Sequence, residues 1–140
     1  MIVSASGMAE RYLSGMNTQR FLNVGFGAAR LAFGVVAGAW PEKIGRTWIG
    51  DEAGSPPTKV ILRALGVRDV ALGAGTVEAA LRDDAVVWLA VSVLADIGDV
   101  TATLTSRKSL PRDGVLTTTF LAGSAAVAGG VLLALELNRD

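Results

Sequence analysis

Five ionisable side chains sit inside stretches of this chain that are otherwise apolar and of helical length: Arg30 in one, Arg68 and Asp69 in a second, Asp96 and Asp99 in a third, with Glu78 as a sixth candidate towards the end of the second. Asp96 and Asp99 are three residues apart, so a helix brings both carboxylates to one face. Close carboxylates can share a proton, ligate a divalent cation, or accept hydrogen bonds from a guanidinium. The medium decides among these chemistries. In hydrocarbon a lone charge costs roughly 2.5 to 3.5 kcal/mol, so such residues are expected to turn inward and pair with one another.

Absent residue types narrow the field. The chain has neither cysteine nor histidine, which removes disulfides, thiolate metal sites, the usual neutral-pH general base and the commonest metal ligand. Basic and acidic residues number 13 each, so no basic surface points to nucleic acid. No glycine-rich phosphate-cradling loop occurs, and no cofactor is implied. An enzymatic reading is left only with Asp96 and Asp99 as metal ligands or as an acid and base pair, and a bound divalent cation would discriminate it. No residue is assigned a catalytic or metal-binding role.

The elements that must position these charges read as membrane helices. Residues 115–135, VLTTTFLAGSAAVAGGVLLAL, carry no charge and are long enough to cross the roughly 30 Å hydrocarbon core. Their polar side chains, Thr117, Thr118, Thr119 and Ser124, can bond back to helix carbonyls. Residues 21–40 hold Asn23 and Arg30 as strongly polar positions and end in Trp40-Pro41, an interface aromatic followed by a helix stop. Residues 59–81 follow Ser55-Pro56-Pro57, and prolines suit a first helical turn. Residues 85–104 follow Asp83-Asp84, an acidic pair able to cap a helix and complement its dipole. The expectation is an all-α fold, a four-transmembrane-helix up-and-down bundle forming one integral membrane domain over 1–140.

Ahead of the first span, Met8, Tyr12, Leu13 and Met16 recur at helical spacing. They predict a short amphipathic helix over about 5–15 lying on the membrane surface, with a frayed or partner-docked terminus as the alternative. The N-terminal segment lacks a positive region followed by an apolar run and is not read as a cleavable signal peptide. The longest connection, 41–58, is expected to pack over the membrane face with Trp40 and Trp48 as interface anchors, or to offer a partner-binding surface. Basic residues outside the spans divide into Arg11, Arg20, Arg82 and Arg139 on one face and Lys43, Arg46, Lys59, Arg107, Lys108 and Arg112 on the other. The small excess favours the second face as cytoplasmic.

Small residues such as Gly34, Gly38, Gly66 and Gly73 let backbones approach closely, and Gly34-x-x-x-Gly38 is read as tight intramolecular packing ahead of dimerisation. Arg30, Arg68 and Asp96 lie near the middle of their spans, so antiparallel neighbours would bring them to similar depth. In the second span the stripe Ala64, Arg68, Ala71, Gly75, Glu78 is expected to face inward, with Asp69 about 100° away, towards Arg30. In the third, Ser92 and Thr103 share the face of Asp96 and Asp99. An Arg30/Asp69 and Arg68/Asp96/Asp99 network is therefore predicted.

The succession of Arg30, the Pro41-Glu42-Lys43 turn, RALGVRDVALG (63–73) and LADIGD (94–99) resembles an uncharacterised family of small four-helix bacterial membrane proteins defined as a domain of unknown function. Its most specific pieces are Gly66-Val67-Arg68-Asp69 with Gly73, and Asp96 with Asp99. The resemblance covers residues 24–135 and implies a fold and a membrane location, without an activity. The favoured function is a non-catalytic accessory or interaction subunit in the cell membrane, with lipid and a larger membrane complex or a second copy as partners. The alternative is a proton- or ion-linked small transporter using the carboxylates, which would have to oligomerise because four spans without an internal repeat are few.

Overall fold

The computed structural model describes residues 18–139, all of whose regular elements are helical. They are α1 (Thr18–Ala39), α2 (Pro41–Ile49), a 3-10 turn (Gly50–Gly54), α3 (Pro56–Leu81), α4 (Val86–Thr105) and α5 (Arg112–Leu137). The amphipathic helix expected over 5–15 lies outside the described residues. Three helices, α1, α4 and α5, are long and apolar enough to cross a membrane. The 26-residue α3 matches them in length but carries Arg63, Arg68, Asp69 and Glu78, and it is not among the three.

Helix ends follow local chemistry. Pro56 and Pro57 open α3, whose cap is Ser55, with the Thr58 amide donating to the Ser55 hydroxyl. This is the use of proline and serine expected at a helix start. The cap expected for α4 is absent: Ala85 holds that position with no side-chain cap hydrogen bond. Asp83 instead takes a left-handed conformation in the turn, φ 57°, one that aspartate tolerates better than most residues.

The helices assemble as two antiparallel pairs. On α1 the inner positions are Asn23, Gly27, Arg30, Gly34 and Ala37, and on α3 they are Leu62, Gly66, Asp69, Gly73 and Thr76. Both series alternate steps of three and four, which keeps them on one helix face. Gly27 opposes Gly73 and Gly34 opposes Gly66. A β-carbon added at Gly34 would lie 2.5 Å from the Val70 nitrogen and 2.6 Å from the Gly66 oxygen, and one at Gly73 would lie 2.6 Å from the Gly27 oxygen. The obstructing atoms are backbone, which cannot rotate away, so these helices touch main chain to main chain. The second pair is α4 with α5, and Gly129 of α5 lies against Val93 and Phe26.

The segment 41–58 is mostly helical rather than an irregular loop. Pro41 starts α2 one residue after α1 ends, with Pro41, Gly45 and Ala53 buried as the segment folds over one end of the pairs. Trp48 is drawn inward, donating from Nε1 to Thr103 Oγ1 at 3.0 Å, while Trp40 remains 59% exposed. Gly114 at the start of α5 abuts the Trp48 carbonyl, where a side chain would collide.

Polar side chains are buried beside an apolar cluster of Ala80, Ala85, Leu89 and Leu132, while many large apolar side chains face outward. Of the five largest fully buried side chains, Asn23, Thr76, Ser92 and Thr103 are polar and only Leu89 is apolar. Phe33, Val67, Leu94, Phe120 and Val127 point outward instead. Contiguous apolar surface of this kind is unfavourable in water, and buried polar groups with partners suit a helix assembly surrounded by hydrocarbon.

The glycine contacts predict a sharp asymmetry among substitutions. Gly73→Val should unfold or open the α1–α3 pair, read as loss of a cooperative thermal transition in detergent. Gly98→Ala, where an added β-carbon meets nothing within 4 Å, should leave the transition unchanged or raise it, since alanine is favoured over glycine in helices by about 0.5 to 1 kcal/mol.

Candidate functional site

Between the two glycine contacts of α1 and α3 the side chains are long and charged. Arg30 leaves α1 at this level with its side chain 8% exposed. Its Nη1 donates to Asp69 Oδ1 of α3 at 3.0 Å, and its Nη2 donates to Asp96 Oδ1 of α4. Arg68 forms a bidentate pair with Asp99, Nη1 to Oδ1 at 3.0 Å and Nη2 to Oδ2 at 2.8 Å, and also reaches Asp69 Oδ1 at 3.2 Å. The five groups form one chain of alternating charge: Asp96, Arg30, Asp69, Arg68, Asp99. Fixed opposite charges at hydrogen-bond distance replace the water each ion has lost.

Sequence spacing located five of the six predicted residues in one cluster, with three corrections, the first being that Asp96 pairs with Arg30 rather than with Arg68, which is bidentate to Asp99 from the flank. The buried stripe of α3 runs through Leu62, Gly66, Asp69, Gly73 and Thr76, not through Arg68. Arg68 lies on the flank, its side chain 32% exposed. Glu78 is outside the cluster, paired with Arg82 near the α3–α4 turn and exposed. The cause is the close glycine contact: it turns the 66/69/73 face towards α1, and Glu78 lies about 180° from Asp69 at 100° per residue. On α4 the face of Ser92, Asp96, Asp99 and Thr103 points inward as its spacing predicts.

A second polar layer was not anticipated. Asn23 Nδ2 donates to Glu136 Oε2 at 3.0 Å, and Gln19 Nε2 reaches the same oxygen at 3.3 Å and the Leu132 carbonyl at 3.2 Å. Arg139 Nη1 holds Glu136 Oε1 at 2.7 Å, and its Nη2 reaches Asp83 Oδ1 at 3.4 Å, where Asp83 also pairs with Arg20. Gln19 and Glu136 fall just outside the apolar runs 21–40 and 115–135. The signal available was register: Asn23 is one heptad before Arg30, and Glu136 one heptad after Gly129.

Three buried atoms in the central cluster, Asp96 Oδ2, Ser92 Oγ and Arg68 Nε, have no hydrogen-bond partner among the described residues. Asp96 and Ser92 lie one turn apart on α4, and Arg68 is on α3. With three aspartates against two arginines, the cluster carries one more negative than positive group. Among the described residues no three acidic side chains converge in a way that would hold a metal ion. Comparison with protein-family models, curated proteins and solved structures gives no match to this chain.

Arg30 is the shared donor, so Arg30→Leu should destabilise the protein in detergent by about 3 to 5 kcal/mol, the range for leaving buried charges unpaired. Arg68→Leu, at a more exposed site, should do less damage. Combining Arg68→Leu with Asp99→Leu should recover part of the loss, and additivity of the two single changes would show that the pair is uncoupled.

The outer layer predicts a pH effect. The Arg20 guanidinium, hydrogen-bonded to Asp83, holds the Asp83 carboxyl below the usual range, with Arg139 adding to the effect. A depressed carboxyl contributes stability that is present above the unfolded value of about 3.9 and is lost as pH falls through the folded one. The melting temperature of the wild type should therefore fall more steeply below about pH 4 than that of Asp83→Asn, which keeps a side chain tolerant of the left-handed turn. Parallel curves would remove Asp83 as a source of acid sensitivity.

Proposed function

We propose that the chain is a multi-pass protein of the cell membrane in which α3 crosses together with α1, α4 and α5 as a four-span up-and-down bundle, and that it serves as a non-catalytic accessory or interaction subunit. Membership of the small four-helix bacterial membrane family whose motifs it resembles is part of the same proposal. The charges of α3 are compatible with a span because Asp69 is enclosed by Arg30 and Arg68, and Arg68 is bidentate to Asp99. The observation that carries the role is the closure of the alternating chain. Each carboxylate is engaged by an arginine, and each arginine spans two helices. Such a cluster holds the two helix pairs in register and leaves the outer faces for lipid or a neighbouring subunit.

A second reading has one observation in its favour. The unpartnered Asp96 Oδ2 and Ser92 Oγ, with the extra negative charge, offer a place for a proton or small cation, as a proton-linked carrier would need. Reconstitution into vesicles with an internal pH dye separates the two. The accessory role predicts no proton flux above protein-free vesicles under an imposed potential, and a larger native assembly when the membrane is solubilised in mild detergent. Flux that is abolished by Asp96→Asn would replace it with the carrier.

A further inference from the structure

The end of the molecule closed by α2 carries a groove of about 440 Å³ between the α1–α2 junction and the first turns of α3. Trp40 and Pro41, Lys43 and Arg46 of α2, and Lys59 and Arg63 of α3 line it, and Glu42 is the one acidic lining residue. Glu42 is occupied from within: Lys59 Nζ lies 2.7 Å and Arg46 Nη2 3.1 Å from its oxygens, and Arg46 also reaches Asp51 at 3.2 Å. Lys43 and Arg63 have no salt-bridge partner among the described residues and supply charge that the protein does not neutralise.

What adjoins the groove defines the class of molecule that would use it. Lys59, Arg63 and Val67 fall on one face of α3 at successive intervals of four, so the basic row passes into apolar surface within one turn. Val67 is 66% exposed, and Val36 and Phe33 of α1 continue the apolar surface below the exposed Trp40. A ligand filling the groove and following these faces must be anionic at one end and hydrocarbon beyond it. Tryptophan favours the headgroup level of a bilayer, and lysine and arginine near a helix end can extend their heads towards it.

We propose that this groove binds the phosphate headgroup of an anionic phospholipid, with Lys43 and Arg63 as the principal contacts, Trp40 at the glycerol level and the acyl chains along Val36 and Val67. The proposal rests on the membrane reading above. It adds a defined lipid site to one leaflet, on the end that also carries Arg107 and Lys108, as the contact of Gly50 with Pro111 indicates.

The test reconstitutes the full chain in phosphatidylcholine vesicles containing a small fraction of dibrominated phosphatidylglycerol or, separately, the same fraction of dibrominated phosphatidylcholine, and follows tryptophan quenching. Incorporation into vesicles is scored first by flotation and resistance to alkaline extraction, so failure of the membrane reading is seen separately. The expected result is preference for brominated phosphatidylglycerol, falling about fivefold for each cation removed from the headgroup region. The preference should vanish in the double variant Lys43→Gln/Arg63→Gln and persist in Arg107→Gln/Lys108→Gln, which removes equal charge from the same end outside the groove. Equal quenching by the two lipids overturns the proposal, as does an equal loss in both variants, which would mark a diffuse surface effect. Displacement of the brominated lipid by soluble glycerol phosphate would also overturn it, assigning the groove to a free phosphate ester.

Discussion

Arg30 is the side chain on which the arrangement turns. It is nearly enclosed and divides its guanidinium between Asp69 of its own helix pair and Asp96 of the other. The α1–α3 contact is tight enough to exclude side chains at Gly27, Gly34, Gly66 and Gly73, and that closeness brings Asp69 to 3.0 Å from Arg30. The α4–α5 pair meets α1 less closely, through Phe26 against Gly129, Val24 and Phe26 against the cluster of Leu89 and Leu132, and the polar layer at Asn23 and Glu136. Directional charge pairs therefore join two units that packing alone joins less extensively.

Polar side chains buried beneath apolar outer faces make this dependence physically reasonable. Where the surroundings are hydrocarbon, moving an apolar side chain from surface to interior gains little, and association rests on close packing and on polar groups with no better partner. The glycine contacts supply the first, and the Arg/Asp chain with the Asn23/Glu136 layer supplies the second. Each layer ties together helices distant in sequence. The central layer links α1, α3 and α4, and the outer layer links α1, α5 and the α3–α4 turn. Complete clusters of this kind are near neutral for stability but strongly penalise any arrangement that separates a partner, so their contribution is chiefly to register.

The two ends of the molecule differ in character. At one, Asp83 and Glu136 gather Arg20 and Arg139 into closed pairs. At the other, α2 is locked by the Trp48–Thr103 hydrogen bond and the Gly114 contact, while Lys43 and Arg63 stay open to the surroundings. The first end is internally satisfied, and the second has charge left over for an external group.

Sequence by itself determined the helical class, the limits of the long helices to within about three residues, the inward face of α4 and the identity of the five central charges. These follow from local causes: apolar length, proline and serine at helix starts, and the three-and-four spacing of Ser92, Asp96, Asp99 and Thr103. Tertiary structure alone decided which face of α3 is buried, because that depends on which glycines meet another backbone and not on which stripe looks most polar. That choice put Asp69 at the centre, moved Arg68 to the flank and left Glu78 outside. It likewise decided that the segment after Trp40 is a helix turned back over one end of the helix pairs, and that Gln19, Asn23, Glu136 and Arg139 form one layer. The α1 and α5 members of that layer are more than a hundred residues apart in the chain, and no local pattern encodes a contact whose geometry is set by how two helix pairs pack against each other.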